Sequence, residues 1–299
     1  MDGRLKLILL AVILFMVGMP VSGILRGTKS PPPDPELPEV VKPVQATDAS
    51  SSEPLVPEDM VFIPPGQFVQ GTGRGGFNER PEREVTLEGF WIDRYEVTNH
   101  HYRAFVEQTG HRKPGPPSRY AKRLTQLRGP NQPVAYVSWY DADAYCKWKG
   151  KRLPNEAEWE KAMRGIDGRL WPWGNSPRIH KANLGGEEDG YEATASVGSF
   201  PLDRSPFGVH DGFGNLMEWV DNWYEEQAPD PGEPGDANFA DRGGYKTLRG
   251  AGYTSYGKDL RITSRSFMVP DFRDETIGFR CATSERKTPD STLVARPGD

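Results

Sequence analysis

Residues 137–160 read VSWYDADAYCKWKGKRLPNEAEWE, and this stretch predicts two helices joined by a short basic turn. Ser138 stands at an N-cap position and Asp141 follows three residues later, which is the spacing of a capping box. Asn155 and Glu158 repeat the same pattern at the start of the second helix. Each helix reaches a glycine at its end, as helices commonly do. The stretch therefore predicts a capped helical hairpin.

The same stretch resembles the signature of the formylglycine-generating enzyme (sulfatase-modifying factor) family, which is close to AYCxWxGKRLPTEAEWE. Further stretches that resemble the family follow in its order, and together they extend over residues 59–285. These stretches are MVFIPPGQFVQGT (60–72), EVTLEGFWIDRYEVTNHHYRAF (84–105), QPVAYVSW (132–139), WPWGN (171–175), AN (182–183), VGSFPLDRSPFGVHDGFGNLMEW (197–219), LRGAGY (248–253) and GFRCA (278–282).

The composition predicts a loop-rich fold. The chain has 33 glycines and 28 prolines in 299 residues, and among them lie 8 Trp, 11 Tyr and 13 Phe. Frequent breakers with many aromatic residues favour irregular segments that are held by buried rings. The resemblance implies the same: an α+β variant of the C-type-lectin-like fold with little regular structure. The net charge of −5 gives no reason to expect nucleic acid as a partner.

The N-terminus contains an uncharged run, residues 7–25, which Arg4 and Lys6 precede. Its length suits a membrane anchor, which we favour, although the residues around Pro20 also resemble a signal-peptide cleavage site. Either interpretation places the domain outside the cytoplasm, anchored and facing the periplasm or cell exterior, or secreted. The predicted organisation is an anchor or signal (1–25), a Pro-rich disordered linker (26–58), the domain (59–285) and a disordered tail (286–299).

Cys146 and Cys281 are the two cysteines of the chain. In an exported domain such a pair commonly forms a disulfide, whereas two buried, reduced thiols are the alternative that the residues leave open. Both cysteines stand in family-like stretches, and the resemblance implies that these positions pair as a structural bridge.

The resemblance also implies a copper ion, which the enzymes of the family use to oxidise a substrate cysteine. Two cysteines after an RGGSY-like segment hold it. Here that segment reads LRGAGYTSYGKDLRITSR (248–265), which puts Ser255 and Leu260 at the two positions. Copper(I) prefers thiolate or thioether ligands, so we expect no copper. If another chemistry uses the same groove, its candidate residues are Arg249, Tyr253, Ser255, Tyr256 and Leu260.

Calcium is expected at two places. In HDGFGNLMEW, the carboxylates of Asp211 and Glu218 alternate with the carbonyls of Gly214 and Leu216, a set of oxygen ligands that suits calcium. The resemblance implies this site. It also implies another, formed by the side chains of Asn183 and Asp189 and the carbonyls of Leu184 and Tyr191. For Asp189, a solvated acidic turn is the alternative.

Residues 111–128 carry six lysines and arginines and no acid, which indicates either a docking surface for an acidic partner or anionic headgroups, or a solvated loop. The hypothesis that we favour is a non-catalytic, membrane-tethered module that binds a protein or glycan outside the cytoplasm. An enzyme of different oxidative or maturation chemistry in the same groove is the alternative. Residual formylglycine-generating activity on sulfatases is the third hypothesis.

Overall fold

Short strands and three helices are connected by long irregular segments in the computed structural model, which describes residues 59–115, 126–176, 181–186, 189–230, 244–256 and 260–284. The helices are α1 (Asn99–Thr109), α2 (Trp139–Trp148) and α3 (Glu156–Arg164). The strands are β1 (Met60–Ile63), β2 (Gly66–Gln70), β3 (Arg83–Leu87), β4 (Phe90–Asp93), β5 (Met217–Trp223), β6 (Lys246–Arg249), β7 (Arg265–Met268), β8 (Ile277–Phe279) and β9 (Ala282–Thr283). The predicted loop-rich α+β composition is confirmed.

The described strands form three small sheets, with the orders β1-β4-β9, β2-β3 and β7-β6-β5-β8. Neighbouring strands are antiparallel except for β5 and β8, which are parallel. In the four-stranded sheet, Glu218 of β5 lies between Arg249 of β6 and Gly278 of β8. Three family-like stretches that are distant in sequence therefore meet at this point.

The helical hairpin forms as the sequence predicts. The Ser138 hydroxyl accepts from the Asp141 amide at 3.2 Å, and the Asp141 carboxylate accepts from the Ser138 amide at 2.9 Å. Asn155 and Glu158 exchange the same pair of hydrogen bonds, each at 2.8 Å. These reciprocal bonds satisfy amides that the first turn of each helix leaves without a partner.

A disulfide joins Cys146 of α2 to Cys281, with the Cα atoms 5.6 Å apart. Both residues are fully buried in one of the hydrophobic clusters of the core. In the same cluster, the rings of Tyr102 and Tyr145 stack, and Phe279 packs edge to face against both. The ring centroids are 5.4–6.3 Å apart. The disulfide prediction is confirmed, and the alternative of two reduced thiols is excluded.

The predicted N-terminal segment, linker and tail lie outside the described residues. Contacts divide the chain into Met1–Lys42 and Pro43–Asp299, and everything described here belongs to the second unit. Within the described ranges, no helix combines the length and the apolar character needed to cross a bilayer.

Candidate functional site

Arg249 ends β6 and is fully buried. Its guanidinium donates to Glu156 Oε1 at 2.8 Å and to Glu160 Oε2 at 2.7 Å, and both carboxylates project from α3. The ring of Trp159, on the same helix, lies 5.3 Å from the guanidinium carbon. Contrary to the prediction, Arg249 lines no surface groove, because its side chain is committed to an internal ion-pair network.

This network extends over the whole of α3, where every residue from Glu156 to Arg164 is buried. Glu160 also accepts from the Gly71 amide at 2.7 Å and from Arg164 at 3.0 Å. Although burial alone would raise it, the pKa of Glu156 is lowered by the guanidiniums of Arg265 and Arg249. The charges of Glu156, Glu160 and Arg164 are therefore paired inside the protein with one another and with Arg249 and Arg265, and are structural.

Ser255 and Leu260 occupy the positions at which the resemblance expects copper-binding cysteines. The Ser255 hydroxyl accepts a hydrogen bond from the Gly252 amide at 3.0 Å, which closes a local turn. The Leu260 side chain packs against the core, and its carbonyl accepts from the Trp171 indole at 2.9 Å. One side chain is thus engaged in a turn and the other in packing, and neither supplies sulfur.

The two tyrosines of the predicted groove differ in exposure. Tyr253 is buried, so it contributes little to an open surface. Tyr256 is 72% exposed, and its ring covers Gly185 so closely that a Cβ there would lie 2.6 Å from it. Of the predicted groove residues, Tyr256 is exposed, and Ser255 and Leu260 are half-buried, so these three reach the surface.

The residues of the calcium site predicted at Asn183, Leu184, Asp189 and Tyr191, which we call the first site, lie together. Asp189 accepts from the amides of Leu184 and Tyr191, each at 2.9 Å, so the loop closes around its carboxylate. The Asn183 amide nitrogen donates to Ala193 at 3.0 Å, while its Oδ1 is buried without a hydrogen-bond partner. A buried acceptor of this kind is costly unless a donor or a cation satisfies it. The donor chemistry at this site therefore fits calcium.

The second site, predicted at Asp211, Gly214, Leu216 and Glu218, is close to the first. Gly214 packs against the backbone of Asn183 so tightly that a Cβ on Gly214 would lie 2.6 Å from the Asn183 carbonyl oxygen. The Glu218 carboxylate is fully buried and accepts three hydrogen bonds, two at 2.7 Å from Arg280 and one at 2.9 Å from Trp159. Glu218 is thus already paired with a guanidinium, which the sequence did not indicate.

Asp211 and Leu216 complete the set predicted for the second site. Asp211 is buried in a left-handed backbone conformation, with φ of 57°, and its Oδ2 accepts from the Gly198 amide at 2.7 Å. The Leu216 amide donates to Glu96 Oε1 at 3.0 Å, which orients the Leu216 peptide. In the described ranges, no three Asp, Glu, His or Cys side chains form a group able to hold a metal, so a calcium ion here would also need main-chain carbonyls as ligands.

Two further buried carboxylates, Glu96 and Asp203, surround the second site. Burial, with the charges of Asp211 and Glu218, raises the pKa of Glu96 well above its ordinary value. Burial and the Asp211 charge do the same for Asp203, whose Oδ1 has no hydrogen-bond partner. Burial also raises the pKa of Asp211 to about 7, although its bond from Gly198 and the charge of Arg280 act against this. The buried guanidinium of Arg280 lies near all four of these carboxylates, Glu218 included. The region therefore has more acidic groups than positive charge to balance them.

The basic segment is only partly described, since residues 116–125 lie outside the described ranges. His111 and Arg112 at its start both contact the Asp141 carboxylate, at 2.8 Å and 2.7 Å. The Arg112 guanidinium also donates to the Ser138 hydroxyl at 2.8 Å, which ties the segment to the start of α2. These two side chains are therefore engaged within the domain.

Comparison with known proteins decides the family. Residues 45–285 match the family described as the sulfatase-modifying factor enzyme 1-like domain, which is most of the chain. The chain belongs to this family. The helical hairpin, the disulfide and the sheet that holds Glu218 all lie within the matched residues.

A relative named as an enzyme and a relative named as inactive are equally similar in sequence to the chain. The formylglycine-generating enzyme of Mus musculus is 32% identical over 300 residues, covering 81% of this chain and 79% of the relative. The inactive C-alpha-formylglycine-generating enzyme 2 of Mus musculus is 32% identical over 280 residues, covering 75% and 85%. The structure of PvdO from Pseudomonas aeruginosa superposes with a TM-score of 0.61 at 30% identity, over 76% of this chain and 94% of that one.

Sequence reasoning missed Glu96 and Arg280, although both stand in family-like stretches. Glu96 follows the strand β4, and Arg280 precedes the disulfide cysteine. Arg280 contacts the main-chain oxygens of His210 and Asp211 at 2.9 Å and 3.3 Å, as well as the Glu218 carboxylate. Arg280 could have been identified from the sequence, because it is a charged residue within the otherwise apolar strand end IGFRCA.

Proposed function

We propose that this chain is a non-catalytic, membrane-tethered member of the family that acts as a binding or accessory module outside the cytoplasm. Calcium stabilises its scaffold, which is a variant of the C-type-lectin-like fold. The observation that supports this proposal most is that the scaffold is intact, while Ser255 and Leu260, which supply no sulfur ligand, stand at the copper positions.

The chemistry supports the absence of formylglycine-generating activity. The chain contains two cysteines, and both form the disulfide between Cys146 and Cys281. No thiolate is then left for copper(I), which prefers sulfur ligands. The relatives named as inactive C-alpha-formylglycine-generating enzyme 2 support this, because the family includes members that are named as lacking the activity.

Incubation of the purified domain with copper(I) and a cysteine-containing sulfatase peptide tests the proposal. We expect no conversion of the peptide cysteine by mass spectrometry and no tight copper(I) binding in competition with a chromophoric chelator. The variant Ser255→Cys with Leu260→Cys is expected to gain one tight copper(I) equivalent, whereas Thr254→Cys with Ser255→Cys is the control. Conversion of the peptide by the unmodified domain would refute the non-catalytic proposal.

Calcium binding is supported by the unpartnered Asn183 oxygen and by the shortage of positive charge around Asp211. Asn183, Leu184, Asp189 and Tyr191 would hold one ion. Asp211, Gly214, Leu216 and Glu218 would hold the other, with Glu218 shared with Arg280. A divalent cation at either place supplies charge that satisfies buried oxygen atoms.

Calcium is expected to raise the melting temperature of the domain, because a ligand that binds only the folded state stabilises it. At a hundredfold excess over Kd the gain is about 2.7 kcal/mol, or roughly 5–10 °C for a domain of this size. Asp189→Asn and Glu218→Gln should each remove part of the calcium-induced increase, and exposed Asp167→Asn should remove none. A melting temperature that responds to neither calcium nor EDTA would contradict the proposal.

The extracytoplasmic location is supported by the disulfide, since such bonds persist in oxidising compartments. We propose that residues 7–25 remain as the anchor and residues 26–58 link it to the domain. N-terminal sequencing of the mature protein distinguishes this from cleavage near Gly23, which would yield a secreted domain.

The alternative, an enzyme of different chemistry in the same groove, has less support. Two of its candidate residues, Arg249 and Tyr253, are buried, and Leu260 packs against the core. No observation in the described residues favours it over a binding role.

A further inference from the structure

Four large apolar side chains are exposed beside the four-stranded sheet, and we call them the aromatic surface: Tyr140, Phe267, Val269 and Phe272. Their exposed fractions are 49%, 41%, 39% and 37%. Scattered exposed apolar residues are normal, but adjoining ones mark interaction sites. The question is therefore whether these four adjoin.

Phe267 and Val269 lie along and just beyond β7, the edge strand of the sheet. The Phe267 ring packs against Tyr224 at 4.4 Å and against Tyr245 at 4.9 Å. Val269 follows the end of the strand directly, two residues after Phe267, and is exposed as well. This half of the surface rests on a preformed aromatic layer.

The turn after β7 brings in the other two members. The Phe272 amide donates to the Val269 carbonyl at 2.9 Å, which closes a tight turn. The Trp139 amide donates to the Pro270 carbonyl at 3.0 Å and holds the start of α2, with Tyr140, against this turn. The four side chains therefore belong to adjoining segments.

A buried cation fixes the layer below. The Lys246 ammonium lies 3.9 Å from the Trp139 ring centroid and 4.1 Å from that of Trp223. It also donates to the Asp221 carbonyl at 2.6 Å, and the lysine is only 4% exposed. Because this amine is occupied inside the protein, it does not contribute an accessible positive charge to the surface.

Acidic side chains border the aromatic surface. Glu225 follows Tyr224, and Asp271 precedes Phe272. In the described part of the chain, the bordering carboxylates without an ion pair are Asp221, Glu225, Glu226 and Asp271. Arg273 and Arg112 offset this charge in part, since the Arg112 side chain is 47% exposed and interacts electrostatically with Asp271. Exposed arginines flank the 3₁₀ turn at Phe77–Glu79, so we do not count this turn as part of the acid-bordered aromatic surface.

We propose that the aromatic surface binds a basic segment of a partner protein that also carries apolar side chains. This inference rests on the proposed binding function. The rings provide a rigid apolar contact, and the bordering carboxylates select lysine and arginine by charge complementarity. The same carboxylates repel anionic lipid headgroups, so a protein segment fits better than a membrane.

Photo-cross-linking of the full chain tests this in its native host. The photoreactive p-benzoylphenylalanine replaces Phe267 in one variant and Phe62 in the control. Phe62 is 46% exposed on β1, in another sheet, so residue type and exposure are matched. We expect a protein adduct at position 267 that is absent at position 62. Mass spectrometry should map it to a segment with several lysines or arginines and apolar residues.

The mapped segment is then synthesised as a labelled peptide, and its binding to the unlabelled domain is measured by fluorescence anisotropy. Phe272→Ser and Glu226→Lys should each weaken binding by about tenfold or more, as for residues central to an interface. Phe62→Ser should leave it unchanged within about twofold. The proposal is overturned by an adduct to a second copy, to lipid or to an acidic segment, or by equal adducts at both positions. None of these outcomes alters the expected calcium response or lack of peptide conversion, which test the proposed function separately.

Discussion

Replacing Arg249 with methionine is expected to lower the free energy of unfolding by on the order of 3–5 kcal/mol. The substitution keeps an unbranched side chain but removes the guanidinium that contacts both Glu156 and Glu160. All three residues are at most 2% exposed, so the two carboxylates would lose a partner without gaining water. Leaving buried charges with fewer partners is costly, whereas an exposed pair contributes little. Chemical denaturation followed by Trp fluorescence gives the value.

Arg152→Met is the matched control for this prediction. Arg152 also makes a bidentate pair, donating to Glu158 at 2.7 Å and 2.6 Å, but its side chain is 39% exposed. Its loss should cost about 1 kcal/mol or less. Arg249→Lys, which keeps the charge without the planar fork, should fall between the two. Equal costs for Arg249→Met and Arg152→Met would show that the network is not shielded from water.

Local signals predicted the helical hairpin well, because everything that defines it lies within a few residues. Ser138 and Asp141 form the capping box themselves, as do Asn155 and Glu158. Such hydrogen bonds depend on spacing alone, so a sequence displays them directly. The rest of the fold depends on contacts between distant segments.

Arg249 shows where a motif position misleads. The stretch LRGAGY placed it next to the expected copper segment, which suggested a groove. Its carboxylate partners are 93 and 89 residues away in sequence, on a helix whose charges suggest exposure. Only the assembled fold reveals that this helix is buried on every side, because strongly charged helices are normally solvated.

The calcium candidates show an intermediate case. Oxygen-bearing residues around Asn183 and Gly214 were identified from the resemblance, yet their contact was not predictable, since the Asn215 amide reaches the Asn183 carbonyl across 32 residues. Glu96 lies 120 residues before Leu216 in the sequence and accepts a hydrogen bond from its amide, and this contact was not predicted. Ligand type is thus visible in the sequence, while the surrounding charge balance appears only when distant elements meet.

Replacing both Cys146 and Cys281 with alanine is expected to lower the free energy of unfolding by about 5 kcal/mol. The bond closes a loop with a sequence separation of 135 residues, and such a long loop greatly reduces the conformational entropy of the unfolded chain. Both sulfurs are fully buried, so their loss also removes packing next to Tyr145 and Phe279. Urea denaturation of the oxidised protein and the variant measures the difference.

The unmodified protein under reducing conditions separates the two contributions, because reduction opens the loop but keeps both sulfur atoms. If the loop accounts for most of the effect, reduced protein and the double alanine variant should lose similar amounts of stability. Both should also show a steeper dependence on urea, since an unfolded chain without the cross-link exposes more surface. A reduced protein as stable as the oxidised one would mean that the cross-link does not restrain the unfolded chain. A large loss in the alanine variant alone would instead assign the effect to packing around the sulfurs.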